Sequence, residues 1–152
     1  MIALPFAPRP LRLAARALFS AAFLAAGFLK WSDPAAFAAS LRIGLPVLPE
    51  RLVLLGALWL PVLEIVLALA LWAPTWRRGA MLASALLLVA FSVFLGHAWV
   101  TGRALECGCF GTLSAYLGDT PGAALLRNAV LLSLLALARE ATSPTTPTTP
   151  MR

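Results

Sequence analysis

Charge is scarce in this sequence. Its 152 residues include twelve Lys and Arg, six Asp and Glu and one His, so 12% are charged while 61% are hydrophobic. With a mean hydropathy of +0.90, the chain cannot furnish the polar shell that a soluble domain of this size needs. Polar sequence long enough for an added soluble domain is lacking too. Cysteine is nearly absent, at two residues. A carrier of reducing equivalents across a membrane needs thiols reachable from both faces or a second redox pair, so a stand-alone relay is disfavoured. A pI near 11.1 would suggest nucleic acid in a soluble protein. Here the basic residues sit at the ends of apolar blocks, where membrane topology accounts for them and no nucleic-acid partner is implied.

What the chain has is long apolar blocks, the pattern of a protein whose solvent is a lipid bilayer. About 20 such residues cross roughly 30 Å of hydrocarbon. The blocks predict an all-α membrane protein, a bundle of four transmembrane helices over residues 11–139, with spans at about 11–31, 52–72, 79–100 and 121–139. Residues 1–10 read as a cytoplasmic N-terminal segment and 140–152 as a disordered Ser/Thr/Pro tail. A signal peptide is the alternative for the first block, whose apolar run is longer than a signal requires. Asp33-Pro34 predicts the cap and first turn of a short interfacial helix to about Ile43, with Phe37 and Leu41 on one face along the membrane surface. Pro61 predicts a kink in the second span.

Positive charge sets the expected orientation. With the N-terminus inside, Arg9, Arg12, Arg16, Arg77, Arg78, Arg139 and Arg152 are cytoplasmic, against Lys30, Arg42, Arg51, Arg103 and Arg127 outside. Both termini are then cytoplasmic in a bacterial inner membrane, and the segment 101–120 is periplasmic. Trp31 and Trp99 mark the outer interface, Trp72 and Trp76 the inner one.

Both cysteines lie in that segment, as Cys107-Gly108-Cys109. Cysteines one residue apart close only a tight, strained ring, and Gly108 is the residue that lets the backbone turn so sharply. Strained disulfides are labile and suit exchange, whereas a structural disulfide gains by closing a long loop. Arg103, four residues before Cys107, favours a thiolate if the turn is helical, and Glu106 opposes it. The competing reading is a copper or zinc site built from Cys107, Cys109, His97 and Glu106. His97, the sole histidine, reads either as an interfacial hydrogen-bonding residue or as a proton relay for the thiols. Glu64 lies about 12 residues, roughly 18 Å, below the outer end of its helix. An ionisable group at such depth is a functional candidate, either as a relay or as a packing partner of Asn128, Ser92 or Ser84. Lys30 and Arg127 read as anchors that snorkel to the interface.

These motifs together carry a resemblance. Gly27-Phe28-Leu29-Lys30 with Asp33-Pro34 and Phe37, Leu60-Pro61 with Glu64, Cys107-Gly108-Cys109-Phe110-Gly111 and Arg127-Asn128 resemble the MauE family of methylamine utilisation protein E-like proteins, within the DoxX-like membrane group. The likeness covers about residues 11–139. It implies a four-helix membrane protein that works with a periplasmic thioredoxin-like partner in disulfide formation or maturation of an exported client. A thiol-disulfide oxidoreductase is the enzyme class so implied, and Cys107 and Cys109 would exchange disulfides. A quinone is a candidate electron acceptor. Two other classes stay open, a metal-handling membrane protein and a non-catalytic assembly factor.

Overall fold

A computed structural model describes residues 8–101 and 120–139. The expectations for Arg103, Glu106, Cys107 and Cys109, and for the tail, fall outside the described residues. Every regular element described is a helix: α1 Arg9–Ser32, α2 Pro34–Gly44, α3 Glu50–Ala70, α4 Arg77–Val100 and α5 Pro121–Leu137. Three of them, α1, α3 and α4, are long and apolar enough to cross a membrane, and α5 is a shorter apolar helix of 17 residues. The chain is a multi-pass membrane protein.

The local reasons for these helices are legible. Pro lies in the first turn of α1, α2 and α5, where its missing N–H costs nothing. The Asp33 carboxylate accepts from the Ala36 N–H at 2.9 Å, and the Thr120 hydroxyl accepts from Ala123 N–H at 3.3 Å. At the other end of α4, Thr101 closes the last turn by donating its N–H and its hydroxyl to the His97 carbonyl, at 3.0 and 2.8 Å. α3 continues as a helix through Pro61, which is wholly buried.

Around the bundle, α1 packs on α3 and α5, and α4 packs on α3 and α5, leaving α1 and α4 on one diagonal. α1 approaches the backbone of α3 closely at Gly27, where a Cβ would come within 2.9 Å of the Pro61 carbonyl oxygen and of Ile65 Cγ1. A glycine is needed there because backbone stands where a side chain would go. One apolar cluster joins Phe19, Phe23, Leu67, Leu88 and Leu135 of α1, α3, α4 and α5. A second joins Phe37 and Leu41 of α2 to Val53 and Ala57 of α3. Phe37 and Leu41 share a face of α2, and that face is turned onto α3. The aromatic and leucine side chains gain more contact from the neighbouring helix than a planar interface offers.

The outer surface inverts the soluble pattern. Leu54, Leu58, Trp59, Leu63, Val66 and Leu69 of α3 are exposed, while Lys30, Glu64, Ser84 and Asn128 are buried. Apolar outside and polar inside fits lipid surroundings. Trp31, Trp72, Trp76 and Trp99 are all exposed, and Trp72 Nε1 still donates to Ser20 Oγ at 3.2 Å.

Candidate functional site

The polar groups of the interior meet at one place. Lys30, in the last turns of α1, donates from Nζ to both carboxylate oxygens of Glu64 on α3, at 2.6 and 2.7 Å. The two side chains are 3% and 5% exposed. The ammonium also lies over two aromatic faces, 5.5 Å from the Phe37 centroid and 5.3 Å from that of Phe91. Rings on α2 and α4 therefore cover the cation that α1 and α3 bring together. Beside the pair is a chamber of about 40 Å³ lined from α1, α3, α4 and α5 by Phe23, Lys30, Glu64, Phe91, Arg127 and Asn128 among others. A buried water takes at least ~10–15 Å³, so the chamber has room for a few.

Glu64 lies six residues from the end of α3 at Ala70 and fourteen from its start at Glu50, deep within an apolar helix. Such a pair is weak evidence for stability, since desolvating two charges offsets most of their attraction. It is better evidence for function.

Several expectations change at this point. Lys30 was expected to snorkel as an interface anchor, and instead it is buried. α2 folds back over the end of α1, so the ammonium meets Glu64 and two rings where the sequence suggested open interface. Arg127, also expected as an anchor, is half-buried, lines the chamber and acts electrostatically on Glu64. The expected packing partners of Glu64 are replaced by Lys30. Asn128 Nδ2 donates to Ser92 Oγ at 3.1 Å, the Ser92 hydroxyl donates to the Leu88 carbonyl at 2.8 Å, and Ser84 Oγ finds no partner among the described residues. Arg16, expected at the inner interface, is buried at 4% exposure.

His97 stays apart from this centre. It is exposed in the last turn of α4, about 9 Å of helical rise beyond Phe91, and does not line the chamber. The helix ends around it are closely joined. Leu95 and Ala98 of α4 form a buried cluster with Ala124 of α5, and Trp99 approaches Gly122. The segment that carries Cys107 and Cys109 thus leaves α4 and enters α5 at two ends packed on each other. Among the described residues no group of three His, Cys, Asp or Glu is placed to hold a metal ion.

Sequence reasoning found Glu64 but missed Lys30. One signal was present: Lys30 is the only lysine, and the other eleven cations are arginines. The pieces that carried the resemblance converge as well, since Gly27, Lys30, Phe37, Pro61, Glu64, Arg127 and Asn128 surround the same pair. Comparison with curated proteins and with solved structures gives no match. A family match does exist, described as methylamine utilisation protein MauE and spanning residues 8–139, nearly all of the chain. The chain therefore belongs to the MauE family.

Proposed function

We propose that this protein is a membrane-embedded thiol–disulfide redox protein. In this reading it has four spans in the inner membrane, both termini in the cytoplasm, and Cys107 and Cys109 on the periplasmic face. The observation that carries the reading is the Cys-Gly-Cys pair on a segment whose two helical feet are packed together at Ala98 and Ala124. Membership of the MauE family agrees with it.

The exchange runs as follows. A thiolate of a periplasmic thioredoxin-like partner attacks one sulfur of the Cys107–Cys109 disulfide, breaking that bond and forming a mixed disulfide. The partner's second thiolate then attacks the partner's own sulfur in that mixed disulfide and displaces the chain's cysteine thiolate, so the partner leaves oxidised and the chain keeps a dithiol. Two electrons and two protons have then moved to the chain, and the oxidised partner can introduce a disulfide into an exported client. A membrane quinone is the acceptor class that takes two electrons and two protons in return. In this reading Arg103 favours a thiolate and Glu106 opposes it, and His97, exposed in the last turn of α4, serves as proton relay for the thiols.

A membrane-impermeant thiol reagent applied to intact cells tests the central point. Labelling of Cys107 and Cys109 only after reduction supports an outer disulfide. Labelling without reduction turns the reading toward reduced thiols or a metal. Failure to label while a permeant reagent reacts places the pair inside and overturns it. A Cys109→Ser variant mixed with the oxidised partner is expected to accumulate a mixed disulfide, the Cys107 thiolate attacking the partner's disulfide and releasing one partner thiolate.

A further inference from the structure

The exchange chemistry leaves the Lys30–Glu64 pair unused. We propose that this pair is a proton-exchange site inside the bundle, loaded through the adjoining chamber, serving the protons that accompany electrons between the dithiol and a membrane quinone. The proposal rests on the redox reading for its purpose, though not for its chemistry.

Three observations point to it. The first is the choice of residue. A static buried cation opposite a carboxylate is well made with arginine, whose guanidinium keeps its proton in proteins, and this chain uses arginine at each of its other eleven basic positions. Lysine stands only at the buried pair. An ammonium can give up its proton where a guanidinium cannot.

The second is geometry. Nζ lies 2.6 and 2.7 Å from the two carboxylate oxygens, so a proton can pass directly from ammonium to carboxylate. That transfer converts an ion pair into a neutral amine and carboxylic acid without changing the net charge. In an apolar interior both forms can be held, because neither leaves a lone charge. The third is access. The chamber touches both Lys30 and Glu64 and has room for a few waters beside Asn128, a polar side chain that can orient them.

The groups around the pair decide what a proton meets. From α5, Arg127 adds a positive charge near Glu64, which disfavours a further net cation and favours passage of the proton onward. α2 and α4 contribute only the uncharged Phe37 and Phe91 rings. When a dithiol becomes a disulfide, two protons are released with two electrons, and reduction of a quinone to a quinol consumes two of each. The pair shares a single proton, carried as Lys30 ammonium facing a carboxylate or as Glu64 carboxylic acid facing a neutral amine, so a proton taken up from a chamber water is matched by one passed on.

Two readouts test this on the full chain in lipid nanodiscs. Infrared difference spectra across a pH titration are expected to contain a protonated-carboxyl band that is missing from Glu64→Gln. Identical wild-type and Glu64→Gln spectra overturn the proposal whatever the redox activity is. The second is oxidation of a reduced thioredoxin-like protein with a short-chain quinone. Lys30→Arg is expected to keep its thermal transition yet lose about 100-fold in turnover, within the range contributed by a positioned proton-transfer group. Full turnover in Lys30→Arg overturns the proposal and leaves the redox reading standing. Should Lys30→Arg not fold, the uncharged pair Lys30→Met/Glu64→Gln replaces it, with the same loss expected and wild-type turnover again fatal. A Cys107→Ser/Cys109→Ser variant that keeps the carboxyl band and full turnover sinks the redox reading alone.

Discussion

At the scale of single residues, the buried pair is where a substitution matters most. Lys30→Met leaves Glu64 with no ammonium to hold its two oxygens, and Glu64→Leu strands the ammonium between two rings. Each single change is expected to destabilise the protein by about 3–5 kcal/mol, and the double change to recover most of it, because the cost comes from an uncompensated charge. Denaturant unfolding in detergent, run as a double-mutant cycle, checks this. Gly27 is the second sensitive position. Gly27→Val puts a side chain where the Pro61 carbonyl oxygen lies 2.9 Å away and cannot yield without moving α3. A loss of about 1–3 kcal/mol is expected from overpacking, read as a lower thermal transition.

At the scale of elements, α2 matters for what it carries. Its cap, Asp33 on Ala36, starts a helix whose first turn places Phe37 over the Lys30 ammonium. Asp33→Ala is expected to cost about 1 kcal/mol in thermal stability, the usual worth of such a cap. Asp33→Asn, which can still accept from Ala36, should restore most of it. The α4–α5 contact is the other element with a function to lose. Ala98 and Ala124 are fully buried where the two helices meet. Ala98→Leu should push the feet of the cysteine segment apart and slow exchange with a thioredoxin-like partner while the infrared signature of Glu64 persists.

At the scale of the whole molecule, the open question is where α5 ends. Its 17 residues rise about 25 Å, a little short of a typical hydrocarbon core, so a local thinning of the bilayer or flanking residues must complete a crossing. Four crossings put the two termini on one side, and three put them on opposite sides. Reporter fusions at each end are expected to be active in the cytoplasm together. A C-terminal reporter active only outside would remove the fourth span and leave the three long helices as the membrane domain. The ring of α1, α3, α4 and α5 needs α5 to close the chamber, since Arg127, Asn128 and Leu131 line it.

The helices themselves were legible in the sequence because lipid-facing segments need only length and apolar character, properties local to each block. Capping at Asp33 was legible for the same reason, as the cap binds an N–H three residues away. Glu64 stood out because an acid in an apolar run has no bland explanation. The partner of Glu64 was not legible. Lys30 sits 34 residues away, and its place at a helix end reads as an interface until α2 folds back to cover it. Which cations reach water and which are enclosed depends on how the described helices pack against one another. That packing is set by long-range contacts such as Gly27 against Pro61, and no local pattern encodes it.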